Sequence, residues 1–295
     1  MKKILVIGSI SVDNVTYTHV LPQPGTTVFG DSFLSNVGGK GANQACAIKF
    51  LGGNVTFFGA LGNDQNGLVV SSFLKTQNLT AILKPSKQST GVANITLDMT
   101  NGENRIIIVP GANMDISESD VSSILEQEKD AQILLIQLEN PVKSVCFALK
   151  RAKEMGMITI LNPAPYHELP NDIFPYIDFF VPNEHELDGY IKNEQMNSEQ
   201  KAHELLKMGM SNVIVTLGEK GSFIANSDGG FFVEALKVNA VDTTAAGDSY
   251  LGAFAYSLSN DQNIIEAMKF ATRCSALTVT KKGAIASLPK KSDVD

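Results

Sequence analysis

Residues 133–161 read ILLIQLENPVKSVCFALKRAKEMGMITIL. The opening residues, Ile133–Leu138, are an apolar run of strand length, and Ile158–Leu161 at the far end is another. Between them the period changes. Asn140 is a residue type that caps helices, and Pro141 suits the first helical position, where its missing N–H costs nothing. Val142, Val145, Leu149 and Ala152 recur at three- to four-residue steps along one face, and Gly156 supplies the stop. A strand, a helix and a second strand in immediate succession form the unit of a parallel sheet with helices on its faces.

The alternation extends outward in both directions. Ile4–Ile7, Val55–Phe58, Phe179–Val181 and Val213–Leu217 are further short apolar runs. They read as nearly continuous hydrophobic segments, as strands covered on both faces do. Two helices, Ala246–Leu258 and Asn263–Val279, close the pattern. Residues 12–36 and 90–109 break the rhythm with alternating Thr, Val, Ile and Phe and with turn residues such as Pro22-Gln23-Pro24-Gly25. The second stretch reads as a hairpin, Gly91–Asp98 and Asn104–Val109, turning at Thr100-Asn101-Gly102-Glu103. Together the two excursions predict a small β insertion at one edge of the sheet. A sheet of that size exposes an apolar face, so it should cover a crevice or pair with another subunit. Ser292–Asp295 is expected to fray.

Composition removes several classes of function. The chain has 295 residues, 43% hydrophobic and 19% charged, within the globular range. Its net charge is −7, with no Trp and only 7% aromatics, which argues against nucleic acid as a partner. An anionic ligand must therefore be held locally, by helix N-termini or a few lysines. Cys46, Cys146 and Cys274 lie far apart and read as reduced thiols of a cytoplasmic protein. The apolar run after Lys2-Lys3 ends at Gly8-Ser9, too short for a signal peptide, and no stretch is long enough to predict a membrane span.

Polar residues gather directly after the predicted strands, at the edge where open parallel sheets bind ligands. Ser11 and Asp13 follow the first strand, Glu139 the strand at 133–138, and Asn162 the one at 158–161. Asn183 and Glu186 follow Phe179–Val181, and Gly218-Glu219-Lys220-Gly221 follows Val213–Leu217. Any one of these could be a cap or a turn former; so many at one edge point to a site. Familiar loops do not explain them. Gly8-Ser9-Ile10-Ser11 lacks the second glycine of a dinucleotide fingerprint, and Gly39-Lys40 is followed by Gly41 where a Walker A loop needs Ser or Thr. Zinc-protease His-Glu-x-x-His and hydrolase Gly-x-Ser-x-Gly patterns are absent.

Two segments remain. Asp242-Thr243-Thr244-Ala245-Ala246-Gly247-Asp248 sets two carboxylates around small residues at a helix entrance, where backbone N–H groups and the helix dipole favour an anion. Asp248, one turn in, could take a proton from a hydroxyl attacking phosphorus, or either Asp could simply cap the helix. Gly38-Gly39-Lys40-Gly41-Ala42-Asn43 is a second loop-to-helix entrance, alternatively a glycine turn with a solvated lysine.

With their flanks, Gln44-Ala45 and Ser249-Tyr250-Leu251-Gly252-Ala253, these segments resemble the two signatures of the ribokinase-type carbohydrate kinases. The likeness continues in Gly8-Ser9-Ile10, Asn162-Pro163-Ala164-Pro165, Val181-Pro182-Asn183-Glu184, Thr216-Leu217-Gly218 and Val279-Thr280-Lys281-Lys282-Gly283-Ala284, in the family's order over nearly the whole chain. The resemblance implies an α/β sandwich with a mostly parallel central sheet flanked by helices, residues 1–11, 37–89 and 110–295, plus a β-sheet lid, 12–36 and 90–109, that would make a homodimer. It implies phosphorylation of the 5-hydroxyl of D-ribose by ATP, giving ribose 5-phosphate and ADP. The alternatives are a kinase for 2-deoxyribose, another small sugar or a nucleoside, and a sugar-binding regulator without catalysis.

Carried onto this sequence, the family's base is Asp248, with backbone amides of Ala245, Ala246, Gly247 and Asp248 around the transferred group. Sugar-contacting positions are Ser11, Asp13, Gly39, Lys40, Gly41, Asn43 and Glu139. Thr216, Leu217, Gly218, Glu219, Lys220 and Gly221 would wrap the nucleotide, with Gly247 and Thr272 beside it. Asn183 and Glu186 would stand near the phosphates and Mg²⁺. Asp242, Thr244, Thr278, Lys281, Gly283 and Ser287 fall where the family holds an activating K⁺, largely through carbonyls. Ser11 departs from the pattern, standing where the family usually has Asn, so the resemblance also implies a looser choice of sugar.

Overall fold

The computed structural model describes residues 1–100 and 103–294. Through the first half of the chain run β1 (Ile4–Ile7), β2 (Ser11–Thr18), β3 (Ser32–Gly38), α1 (Lys40–Phe50), β4 (Val55–Gly62), α2 (Gln65–Thr76), β5 (Thr80–Ser86), β6 (Gly91–Asp98), β7 (Asn104–Val109) and α3 (Glu118–Gln127). There follow β8 (Ile133–Gln137), α4 (Val142–Glu154), β9 (Ile158–Asn162), β10 (Phe179–Phe180), α5 (Glu184–Tyr190), α6 (Ser198–Leu206), β11 (Asn212–Thr216), β12 (Gly221–Asn226) and β13 (Gly229–Glu234). Helices α7 (Ala246–Ser259), α8 (Ile264–Thr278) and α9 (Lys291–Val294) complete the described chain.

The main sheet has the order β13-β12-β11-β10-β9-β8-β1-β4-β5. Strands β5 through β11 in that order are parallel, and β12 and β13 add an antiparallel hairpin at one edge. Successive side chains of β1 serve opposite faces. Ile4 and Val6 pack with residues of α1, α7 and α8, whereas Leu5 and Ile7 pack with residues of α3, α4 and α6. Each fully buried Leu, Ile or Phe in these two layers contributes about 1.5–3 kcal/mol. The chain leaves β1 towards β4 and β5 on one side, and later returns to β8 on the other. That reversal opens a crevice past the carboxyl ends of β1 and β8.

The two excursions build a separate four-stranded sheet, β3-β2-β6-β7. It starts at Ser11 and extends through Gly38, slightly beyond the expected 12–36. Its centre is a parallel pairing of β2 with β6, Ser11 opposite Gly91 through Thr18 opposite Asp98. The expected strands Gly91–Asp98 and Asn104–Val109 both form; Asn101 and Gly102 of the expected turn lie outside the described residues.

Several local expectations change; the strand expected at Val55–Phe58, for one, runs on to Gly62. Asn140 does not cap α4: Pro141 takes the cap position, and the Asn140 amide donates to the Asn113 carbonyl at 2.9 Å. The strand expected to end at Leu217 ends at Thr216. Lys291–Val294 forms a helical turn in place of a frayed end, since the Asp293 carboxylate accepts the Lys290 N–H at 3.0 Å; Asp295 lies outside the described residues.

Candidate active site

Helices α1 and α7 both enter the crevice with their N-termini. At the entrance of α1, Gly41 is wedged against the end of β1, where an added Cβ would stand 2.6 Å from the Gly8 carbonyl carbon. Gly41 is thus used by the protein's own packing, and its N–H lies 3.4 Å from the Ser9 hydroxyl. Beside it Glu139 is fixed by the Ser9 hydroxyl, which donates to Oε2, and by the Lys40 N–H at 3.1 Å. On the lid, the Ser11 hydroxyl donates to Asp13 Oδ1 at 2.7 Å. Ser11 therefore orients Asp13.

At the entrance of α7, Ala245 takes a left-handed conformation, φ 59°, and no side chain caps the helix. The first intrahelical bond of the following turn is Ser249 N–H to the Ala245 carbonyl at 2.8 Å. Of the expected amides, that of Ala246 is spent on the Thr243 carbonyl at 3.2 Å, whereas the N–H groups of Gly247 and Asp248 have no partner within the helix. A Cβ at Gly247 would meet nothing within 4 Å, so the space before these donors is open. Such an arrangement can cradle an anion. The buried Asp248 carboxylate stands one turn inside, with Oδ2 accepting from Asn43 Nδ2 at 2.8 Å and Oδ1 from Gln44 Nε2 at 2.9 Å.

The charges act on one another. Burial pushes the Asp13 carboxyl above the ordinary carboxylate range, the Ser11 hydroxyl works against this, and the charges of Glu139 and Asp248 add to the rise. Burial alone would lower the Lys40 ammonium, but Asp248, Glu139 and Glu186 outweigh it and hold the pKa above the ordinary lysine value. Lys40 is thus a cation at physiological pH among three carboxylates, suited to meet a phosphoryl group. Asn43 Oδ1 is buried and has no hydrogen-bond partner among the described residues. It is an acceptor in reserve, of the kind a sugar hydroxyl satisfies.

The expected nucleotide residues lie on the turn after β11, at the start of α7 and on α8. After β11, a tight turn over Gly218–Lys220 closes with Leu217 N–H to the Gly221 carbonyl at 2.8 Å. Thr216 lies beside Asn183, its N–H donating to the Pro182 carbonyl at 3.0 Å, and Lys220 Nζ is 3.6 Å from Glu184. Glu219 is exposed on this turn. Asn183 and Glu186 form a capping box on α5: Asn183 N–H donates to Glu186 Oε2 at 2.8 Å, and Glu186 N–H to Asn183 Oδ1 at 2.9 Å. Burial raises the Glu186 carboxyl. Thr272 is buried on α8, which packs on the β12–β13 hairpin, and its hydroxyl has no partner among the described residues.

The residues of the expected cation site divide. Asp242 ties two loops, accepting Thr244 N–H at 2.9 Å on Oδ1 and Gly283 N–H at 2.9 Å on Oδ2. These hydrogen bonds hold its carboxyl below the ordinary value although burial acts the other way. The Thr278 hydroxyl instead donates to the Cys274 carbonyl at 3.0 Å and pairs with the Ser249 hydroxyl at 2.7 Å, the Ser287 hydroxyl donates to the Ala284 carbonyl, and the exposed Lys281 ammonium lies 3.7 Å from Asp293. Among the described residues no cluster of His, Cys, Asp or Glu side chains has the make-up of a metal cage.

Sequence reasoning assigned no role to Ser9, Gln44 or Gln137. A signal was there for Gln137: it is the one polar residue in the apolar run 133–138.

Comparison with known proteins agrees with this geometry. The family model of the pfkB carbohydrate kinases matches residues 1–291. The ribokinase of Schizosaccharomyces pombe is 38% identical, covering 100% of this chain and 97% of that protein. The crystal structure of a ribokinase from Thermotoga maritima superposes with a TM-score of 0.91 at 36% identity, covering 100% of this chain and 98% of that one. The structure of Arabidopsis thaliana ribokinase complexed with ribose and ATP gives 0.90 at 30% identity, covering 99% and 97%. These likenesses run over the full length, and the chain belongs to the pfkB family of carbohydrate kinases.

Proposed function

We propose that this protein transfers the γ-phosphoryl group of ATP to the 5-hydroxyl of D-ribose, giving ribose 5-phosphate and ADP. The observation that carries the reading is the Asp248 carboxylate. It is buried between hydroxyl-binding groups (Asp13, Asn43, Glu139) and an open cradle of helix N–H donors, and both its oxygens are held. As the 5-hydroxyl oxygen attacks the γ-phosphorus, Asp248 takes its proton, and the bond to the β–γ bridging oxygen breaks to release ADP. The N–H groups of Gly247 and Asp248, the dipole of α7 and the Lys40 ammonium stabilise the charge on the transferred group. Ala245 and Ala246 contribute by their smallness, which lets the phosphoryl oxygens approach the backbone. Asp13, Glu139, Asn43 and the backbone at Gly39 hold the sugar. The turn Thr216–Gly221, with Glu219 on its rim, and Thr272 hold the nucleotide.

Mg²⁺ bound with ATP would neutralise phosphate charge. Asn183 and Glu186 suit it, because the cap of α5 engages only Oε2 of Glu186 and a hard oxygen ligand remains. The loops joined by Asp242 offer oxygen donors fit for K⁺: the Asp242 carboxylate with carbonyls of Thr244, Thr278, Lys281, Gly283 and Ser287. Such an ion would brace the turn that leads into α7. The lid exposes Phe33 and Leu34 on one edge strand and Ile106, Ile107 and Ile108 on the other, with Ile107 at 69%, and these apolar edges support a homodimer formed through the lid. The cytoplasm is its place in this reading, where ATP is supplied and thiols stay reduced.

A second reading, phosphorylation of 2-deoxyribose, is favoured by one observation: the Ser11 hydroxyl spends its proton on Asp13 and leaves less for the sugar. ADP release measured with ribose, 2-deoxyribose, other pentoses, nucleosides and no acceptor separates the readings. The highest kcat/KM is expected for ribose. Sugar binding without any sugar-dependent ADP release would instead indicate a non-catalytic regulator.

A further inference from the structure

We infer that Gln44, held by Gln137, is a positioning residue for Asp248: a buried amide relay from the central sheet fixes the base's carboxylate in the orientation that accepts the substrate proton. The inference rests on the phosphoryl-transfer reading above.

The relay begins on β8. Gln137 is fully buried at the strand's last position, and its Nε2 donates to Gln44 Oε1 at 2.6 Å. Gln44, also 0% exposed, sits in the first turns of α1. Its Nε2 uses both hydrogens, one on Asp248 Oδ1 at 2.9 Å and one on Asn162 Oδ1 at 3.3 Å. Asn162, the register partner of Gln137 on β9, is itself fixed by donating to the Val181 carbonyl at 3.0 Å. The contact needs α1 and α7 to approach closely. They do so at Gly252, one turn beyond Asp248 on the same face, where an added Cβ would stand 2.5 Å from Ala47 and 2.9 Å from the Gln44 carbonyl oxygen.

Charge sets the polarity of the chain. An ionised carboxylate only accepts, so Gln44 must turn its amide nitrogen to Asp248. Its carbonyl then points back to the sheet, where only a donor satisfies it, and Gln137 supplies one. Buried, such a chain holds each member more firmly than the same groups would in water. Asn43 and Gln44 divide the work. Asn43 touches Asp248 with its nitrogen and keeps a buried, unpartnered oxygen in reserve. The polar atoms of the Gln44 side chain are all spent on protein, so Gln44 acts on the substrate only through the base. Without it, Asp248 keeps one donor and its carboxylate is free to rotate.

This separates kcat from KM. Gln44→Met keeps the length and volume and removes the donor. The structure predicts ribose KM within about threefold of wild type and kcat lower by roughly 10- to 100-fold, the worth of a buried hydrogen bond to a charged group. Gln137→Met, at a residue that touches Gln44 and not the base, should lower kcat by a smaller factor. The double variant should lose less than the product of the two factors, because both act through one chain. A folded Gln44→Met enzyme with wild-type kcat would overturn the inference, as would a rise in KM with kcat unchanged. Should Gln44→Met not fold, a Gln137→Met enzyme with unaltered kcat overturns it equally. Wild-type protein that phosphorylates no sugar would refute the underlying reading instead, so the two failures are distinct.

Discussion

Replacing Asp248 by Asn keeps the side chain's shape, removes its charge and puts an NH₂ group where an oxygen stood. Two donors face that position, Asn43 Nδ2 at 2.8 Å and Gln44 Nε2 at 2.9 Å, so one of them must yield. Gln44 is locked by Gln137 and Asn162. Asn43 is not, because its Oδ1 has no partner, and rotating its amide presents that oxygen to the new NH₂. The variant therefore keeps both contacts to position 248, with the Asn43 NH₂ turned to the place its oxygen held. The remaining loss, two charge-assisted bonds becoming neutral ones, is about 1–2 kcal/mol, which lowers Tm by roughly 2–4 °C in a chain of this size. The Asn43 oxygen is lost to the sugar side, so ribose KM should rise a few-fold. Catalysis suffers far more: without a base for the hydroxyl proton, kcat should fall by about 10²–10⁴, or roughly 3–5 kcal/mol of barrier. Coupled ADP assays give kcat and KM, calorimetry gives ribose affinity, and thermal melts report the fold. A folded variant turning over within tenfold of wild type would refute Asp248 as the base.

Activity in K⁺ buffer should exceed that in Na⁺ or Li⁺ several-fold, because the loops joined by Asp242 lead straight into the α7 entrance; equal rates in the three salts would remove the monovalent site. Ser11→Asn replaces a hydroxyl bound to Asp13 by an amide that reaches one bond further and carries both donor and acceptor. The ratio of kcat/KM for ribose over 2-deoxyribose should rise by about tenfold, within the range that one added contact to a hydroxyl provides, and an unchanged ratio would show that Ser11 does not set sugar choice. Ile107→Asp puts a charge on the exposed edge strand of the lid, so light scattering should report a dimer for wild type and a monomer for the variant; two monomers would end the lid-to-lid reading.

The division between what was legible in the chain and what was not follows from the range of the interactions involved. Residues 133–161 announced a strand, a helix and a strand because periodicity and stop signals act over a few residues, and the structure moves their ends by only one position or so. The helix entrance at 245–248 was equally legible, since small residues, a helix start and an acidic side chain are neighbours in sequence. The edge strand β13 was not recognised: all but one of its residues are exposed, so no buried stripe marks it, although Asn226 and Gly229 pair across a two-residue turn.

The sequence alone thus determined the layer architecture, the edge of the sheet where the candidate site lies, and the candidate base, because each is written in local pattern. Only the tertiary structure decided that β2 pairs in parallel with β6 across most of the first hundred residues, making one lid from two excursions. It also decided that Gln44 and Gln137, 93 positions apart, belong to one relay ending on Asp248. A buried amide must find a partner, but sequence says only that the need exists. Which group meets it depends on the packing of α1 against α7 and on the order of strands in the sheet, and both are set by contacts between residues far apart in the chain.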